Sequence, residues 1–230
     1  MSELHMVGSA PNAARRSRAI RREGGMVNGP FIERYFGELI RIIRMIPRDG
    51  VDVAVELLLA ARERGSTVYV MGNGGSASTA THLACDLAKY TIVDDKKRFR
   101  VVSLTDNVPL VSAWTNDNGF GSIFVEQLRP WLGAGDVLIG LSVHGGSGTG
   151  AAGPWSQNLV QAMQLARERG AKVIGIAGFD GGAMRELADV CVVVPTDSEP
   201  LGTPLVESLH VVLHHLLCAA LRQRIEAADA

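Results

Sequence analysis

The chain has 230 residues, 47% of them hydrophobic, and its 23 Lys and Arg residues nearly balance 24 Asp and Glu residues, for a net charge of -1 at pH 7. This length allows one full-sized α/β domain with a buried core. The near-neutral charge argues against nucleic acid or an anionic membrane as a partner. Three widely spaced cysteines match neither a disulfide framework nor a zinc ribbon, and no stretch approaches the roughly 20 apolar residues of a membrane span, so we expect a cytoplasmic protein.

The first 27 residues are predicted to be a flexible tail that precedes one domain over residues 28–230. Five arginines lie between Arg15 and Arg22, and no apolar run follows them, so a secretory signal is not expected. Apolar residues then recur at helical spacing from Phe31 to about Pro47 and again from Val51 to Arg64. This pattern predicts a pair of amphipathic helices before the first strand.

Five short runs rich in Val, Ile and Leu predict strands, and stretches with helical periodicity separate them. Because these strands are apolar throughout, they indicate a parallel sheet covered by helices on both faces, which is a doubly wound α/β fold. The predicted strands are Thr67–Met71, Arg100–Leu104, Val137–Leu141, Lys172–Ala177 and Val190–Val194. The predicted helices lie near residues 77–88, 108–115, 119–132, 155–169, 182–188 and 203–226.

The last predicted helix is apolar around much of its circumference between Leu205 and Leu221. One sheet can cover only one of its faces, so we expect another face to pack against a second copy of the chain.

Two loops rich in glycine and serine follow predicted strands: Gly72-Asn73-Gly74-Gly75-Ser76, and the segment from Gly140 to Gly148. In a parallel sheet these loops, together with Thr105–Asn107, should converge beyond the carboxyl ends of the strands. Glycine amides at a helix start favour a phosphate group. The first loop lacks the lysine of a P-loop and the third glycine of a dinucleotide fingerprint, so a phosphorylated small molecule is the expected ligand.

Two helices carry candidate acid, base or metal-binding residues. His82 and Asp86 are four residues apart on one helix face, a spacing that suits either a metal site or a solvated hydrogen bond. On the last helix Glu207 and His214 are seven residues apart and nearly aligned, whereas His215 is rotated by about 80°. Helical geometry alone therefore favours His214 over His215.

The chain resembles the sugar isomerase (SIS) domain proteins, and among them the phosphoheptose isomerases, which interconvert sedoheptulose 7-phosphate and an aldoheptose 7-phosphate. The resemblance runs from about Phe31 to Leu221 and implies the SIS fold, with a five-stranded sheet, phosphosugar binding and a tetramer with sites between subunits. It is carried by Gly72–Ser76 with His82 and Asp86, by Thr115-Asn116-Asp117, by Gly135–Ser142 with Gly145 and Ser147, and by Thr203 with Glu207, His210 and His215.

The resemblance also implies roles for individual residues. Substrate-binding positions are Asn73, Gly74, Gly75, Ser76, Asn116, Asp117, Ser142, Val143, His144 and Ser147, of which Ser142 and Ser147 would hold the phosphate. His82, Asp86, Glu207 and His215 fall where the family holds zinc or places acid and base groups, and His215 rather than His214 matches the family. The family usually has glutamate at the position of Asp86, glutamine at that of Glu207, and hydroxyl residues at those of Val143 and His144.

These observations predict a ketose/aldose phosphate isomerase that acts on sedoheptulose 7-phosphate or a similar long-chain sugar phosphate through an enediol. Such a reaction needs a base beside the carbonyl and a second group, or a cation, at the oxygen. Asp86 is the expected base and His215 its partner, while Glu207 is either the base itself or an additional zinc ligand. Two alternatives remain: a non-catalytic SIS protein that binds a phosphosugar or a protein partner, and a lyase that acts on a phosphorylated amino sugar.

Overall fold

The structure is a computed structural model that describes residues 28–146, 155–197 and 200–228. The chain divides into two compact units, residues 1–40 and 41–230, and helix α1 (Gly29–Met45) contains the boundary between them. The predicted tail over residues 1–27 lies outside the described residues, so the domain boundary at residue 28 stays a prediction.

The larger unit contains a five-stranded parallel sheet with the order β2-β1-β3-β4-β5. In register, Val68 of β1 lies between Val101 of β2 and Val137 of β3. Each of the five predicted strands is confirmed, and their bounds differ from the prediction by no more than one residue. The strands are β1 (Thr67–Gly72), β2 (Arg100–Ser103), β3 (Val137–Ser142), β4 (Lys172–Gly178) and β5 (Val190–Val194).

Helices connect the strands, as a parallel sheet requires. The helices after α1 are α2 (Arg48–Arg64), α3 (Gly75–Lys89), α4 (Val108–Asn118), α5 (Val125–Leu128), α6 (Gln157–Glu168), α7 (Gly182–Leu187) and α8 (Gly202–Ala227). Helices α3 to α7 lie between strands, whereas α2 precedes β1 and α8 follows β5. The continuous helix predicted over residues 119–132 is wrong. The segment instead holds a 3-10 turn at Phe120–Ser122 and the four-residue α5, because Gly119 adopts a φ of 83° and Pro130 has no N–H with which to continue a helix.

Alternate residues of each strand face opposite sides of the sheet, and each side is covered by its own helices. On one side Tyr69, Met71 and Leu138 pack in a core with Phe124 and Met163 from the connecting segments. On the other side α8 contacts α2, α3, β4 and β5. The strands β1, β3 and β4 are therefore buried on both faces, whereas the edge strand β2 is partly exposed, and this arrangement confirms the doubly wound architecture.

Helix α8 is long and apolar enough to cross a membrane by length and composition, with a mean hydropathy of 1.4 in its 18-residue window. This differs from the expectation that no stretch would reach that level. Half of the window is buried inside the protein, as in the core helix of a soluble domain, so the signal is weak evidence for a membrane span.

The stability of the fold should depend on pH through His210, which is fully buried on α8. Burial lowers the pKa of His210 from 6.5 to about 4, so between these values the unfolded chain binds a proton that the folded chain does not. Stability therefore falls as the pH falls. We expect this residue alone to lower the free energy of unfolding by about 2 kcal/mol between pH 7 and pH 5, measured by urea denaturation. His210→Leu should remove this part of the loss, and an identical acid loss in the variant would contradict the assignment.

Candidate functional site

A cavity of about 290 Å³ lies beside the loops that follow β1 and β3, which are neighbours in the sheet. This position is the topological switch point of the strand order, where open α/β sheets bind ligands. We call this cavity the glycine pocket. The predicted convergence of the two glycine loops is confirmed. Its lining residues are Asn73, Gly74, Gly75, Ser76, Ser142, Val143, His144, Gly146, Trp155, Ser156 and Glu207.

The first glycine loop makes one wall of the pocket, because the chain turns there from β1 directly into α3. Gly74 adopts a φ of 55°, which favours glycine, and it caps α3 without a side chain. A Cβ on Gly75 would overlap the carboxylate of Glu207 from α8. The carboxylate thus lies at the start of α3, where the helix dipole favours a negative charge.

Asn73 is held by the neighbouring helix α6. Its Nδ2 donates to Asn158 Oδ1 at 3.0 Å and to Ser156 Oγ at 3.3 Å, and Asn158 Nδ2 donates back to Asn73 Oδ1 at 2.8 Å. Asn158 is fully buried. The sequence analysis did not identify Asn158 or Ser156 as site residues. The available signal was the polar Asn158 directly before the apolar residues Leu159 and Val160, at the start of a predicted helix.

Other predicted substrate residues lie elsewhere. Asn116 and Asp117 are exposed on α4, where Asn116 Nδ2 donates to Asp117 Oδ1 at 2.7 Å, and neither lines the glycine pocket as far as the described residues define it. Thr105 lines a neighbouring cavity of about 160 Å³, which shares Asn73 and Gly74 with the pocket. Ser147 lies outside the described residues.

A second group of polar side chains gathers farther along α3 and α8. We call His82, Asp86, His214 and His215 the histidine cluster, and one ligand atom from each lies within 4.8 Å of the others. The Nε2 atoms of His82, His214 and His215 lie 3.6, 3.3 and 3.5 Å from Asp86 Oδ2. The cluster is half open to solvent, since His82 and His215 are about half exposed, whereas His214 is buried.

His214 is the buried imidazole of this cluster. Burial lowers its pKa to about 4, helped by the nearby imidazoles of His215 and His82 and opposed by Asp86. His214 is therefore neutral near pH 7, the form in which an imidazole binds a metal ion.

The structure thus changes the predicted grouping of residues in two respects. Asp86 contacts both His214 and His215, although the family resemblance had chosen His215 over His214. Glu207 is not in the cluster but in the glycine pocket, so within one chain it does not join the predicted set of zinc ligands. The physical reason is helical rise, because Glu207 precedes His214 by seven residues, which is about 10 Å along α8.

Comparisons with known proteins show the family and the fold of this chain. Residues 34–178 match the SIS domain family. The chain is 48% identical over 180 residues to the lincomycin biosynthesis protein LmbN of Streptomyces lincolnensis, covering 78% of this chain and 64% of that protein, so it spans less than two thirds of that relative. It is 36% identical over 177 residues to the phosphoheptose isomerase of Pelobacter propionicus, covering 77% and 86% of the two chains. The phosphoheptose isomerase GmhA from Neisseria gonorrhoeae has a similar structure, with a TM-score of 0.73, 29% identity and coverage of 85% of this chain and 98% of that one.

The close approach of Gly75 and Glu207 can be tested by adding a methyl group. Gly75→Ala should destabilise the wild-type chain by about 1–3 kcal/mol, because the new Cβ displaces the carboxylate of Glu207. In a Glu207→Ala background the same change should be neutral or stabilising, since alanine is the better helix former. Urea denaturation of the four proteins measures both effects. Equal costs of Gly75→Ala in the two backgrounds would show that the methyl group meets some other atom.

Proposed function

Because this chain belongs to the SIS domain family, with phosphoheptose isomerases among its relatives, we propose that it is an aldose–ketose isomerase of a long-chain sugar phosphate such as sedoheptulose 7-phosphate. One observation carries the proposal. At one end of the helix pair α3 and α8 lies the glycine pocket, which contains the carboxylate of Glu207, and farther along the same two helices lies the histidine cluster.

The spacing of these two places fits the length of the substrate. Gly75 and His82 are seven residues apart on α3, which is about 10 Å at the rise of an α-helix. From C1 to the phosphorus of a heptose 7-phosphate there are eight bonds, which span roughly 10 Å at about 1.2 Å per bond of an extended chain. A phosphate in the glycine pocket therefore leaves C1 and C2 of a heptose near the histidine cluster.

The glycine pocket offers groups that suit the phosphate end. Ser142 at the end of β3 and Ser76 at the start of α3 bring hydroxyls, and the glycines allow an anion to approach backbone N–H groups. His144 adds an imidazole to the same wall. We assign Glu207 to the sugar hydroxyls beside the phosphate, because its carboxylate lies in this pocket.

At the other end Asp86 is suited to move the proton between carbons. All three imidazoles contact its Oδ2, so among the described residues Oδ1 is the oxygen left for a substrate. The Asp86 carboxylate removes a proton from C1 of the ketose and returns it to C2. His215, which is half exposed, moves the hydroxyl proton from O1 to O2, and the intermediate is an enediol.

The catalytic assignment is tested by turnover of sedoheptulose 7-phosphate in D₂O, followed by NMR for an aldose anomeric signal with deuterium at C2. Asp86→Asn should lower kcat by about 10²- to 10⁴-fold, because no carboxylate remains to carry the proton. His215→Ala should also lower kcat, whereas Glu207→Gln should mainly raise KM. Asp94→Asn, at an exposed loop carboxylate, is the matched control.

Two outcomes would change this assignment. A large loss of kcat in Glu207→Gln with none in Asp86→Asn would transfer the role of base to Glu207. Binding of the sugar phosphate by the wild-type protein without any turnover would favour the non-catalytic regulator instead.

The histidine cluster also fits zinc, which we propose as the cofactor. In a tetrahedral site with bonds of about 2.1 Å, neighbouring ligand atoms are about 3.4 Å apart. The three contacts to Asp86 Oδ2 measure 3.3 to 3.6 Å, and all four ligand atoms lie within 4.8 Å of one another. The donors are three imidazoles and a carboxylate, and the buried His214 has its Nε2 3.3 Å from Asp86 Oδ2. When bound, zinc would polarise the carbonyl oxygen as a Lewis acid, which is the alternative to the proton transfer assigned to His215, because His215 Nε2 would then be a ligand.

Zinc binding is measured by competition with a chromophoric chelator, without any reference to turnover. His214→Ala should weaken the affinity at least about 10-fold, since one of four neutral or anionic donors is lost. His144→Ala is the matched control, because this histidine belongs to the glycine pocket. Equal affinities of wild type and His214→Ala would remove His214 from the ligand set.

We also propose that the protein is a cytoplasmic homo-oligomer, as a tetramer of the kind its family resemblance implies. An apolar groove of about 410 Å³ lies between α2 and α8 and includes Val51, Val212 and Leu216. Val212 and Leu216 are about half exposed, which supports a partner chain on this face of α8. The three cysteines are free, as in a reducing compartment.

A further inference from the structure

The loops that follow β3 and β4 are joined by their backbones beside the glycine pocket. Gly178 N–H donates to Val143 O at 2.9 Å, and Met184 N–H donates to Gly145 O at 2.9 Å. A Cβ on Gly145 would overlap the backbone of Gly181. The loop after β4 therefore fixes the position of the loop that carries His144.

Phe179 is held in an unusual conformation at the centre of this contact. Its φ is 54°, in the left-handed region that bulky side chains rarely adopt. Its ring stacks on the imidazole of His144, with 4.5 Å between the ring centroids and 27° between the planes. The strained backbone thus places an aromatic ring against a residue that lines the glycine pocket.

One nitrogen of His144 has no hydrogen-bond partner among the residues that the structure describes. This atom, Nδ1, is buried. The Nδ1 side of the ring therefore faces the protein interior. The imidazole also lines the glycine pocket, so its other nitrogen, Nε2, is the one that can meet an oxygen of a bound ligand there.

We propose that Phe179 is a positioning residue of the phosphosugar site, which holds the His144 imidazole so that it can donate a hydrogen bond to the phosphate of the substrate. This inference rests on the proposed function for the identity of the ligand. Phe179 touches the imidazole and acts through it. If Phe179 had a purely structural role, replacing it would change ligand affinity by the same factor whether or not the His144 side chain is present.

The test is a double-mutant cycle with His144→Ala, Phe179→Leu and both changes together. Two quantities are measured, the KM for sedoheptulose 7-phosphate and the dissociation constant of inorganic phosphate. Phe179→Leu should raise both about 3- to 10-fold, the range expected for one lost aromatic stack, and leave kcat within about 2-fold. In the His144→Ala background it should have no further effect. Phe179→Tyr, which keeps the ring, should behave as wild type.

Three results distinguish the possible failures. An equal effect of Phe179→Leu with and without His144 would overturn the proposal, and so would unchanged affinities in a folded Phe179→Leu protein. If Phe179→Leu lowers the melting temperature by more than about 5 °C, Phe179→Met takes its place in the cycle. If the wild-type protein binds phosphate but does not isomerise the sugar, the proposed reaction fails, while the phosphate constants still decide the role of Phe179.

Discussion

The contact between α3 and α8 is the constraint on which the rest of the site depends. At one end Gly75 approaches Glu207, and at the other Asp86 meets His214 and His215. Both sets of contacts follow the same order along the two helices, so the helices run in the same direction side by side. One packing interface therefore positions both the pocket and the cluster. A side chain at residue 75 would disturb the glycine pocket directly, and it would disturb the histidine cluster by shifting α3 relative to α8.

The parallel sheet gives this helix pair its place. Because β1 leads into α3 at the switch point between β1 and β3, the start of α3 faces the loop after β3. Backbone contacts from the loop after β4 then fix the second wall of the pocket. Asn73, His144 and Ser156 of the pocket belong to loops between strands and helices, where binding residues are often found.

Periodicity predicted the fold well because each strand and helix has a continuous local pattern. The five strands were found to within one residue, and β5 (Val190–Val194) was found without error. The segment 119–132 was predicted wrongly because its apolar residues fit a helix while Gly119 and Pro130 interrupt the backbone. The motifs also indicated the SIS domain family correctly, because each of them is a short continuous segment that can be recognised without knowledge of the tertiary structure.

The sequence by itself determined the order of the strands and helices, the glycine turns at the strand ends and the spacing of His82 and Asp86, because all of these depend on neighbours along the chain. The tertiary structure alone decided which distant residues meet. Glu207 and His214 appeared to form one aligned pair on α8, but the two-turn rise separates them into the pocket and the cluster. The reason is that contacts between helices depend on crossing geometry and packing, which no local periodicity encodes.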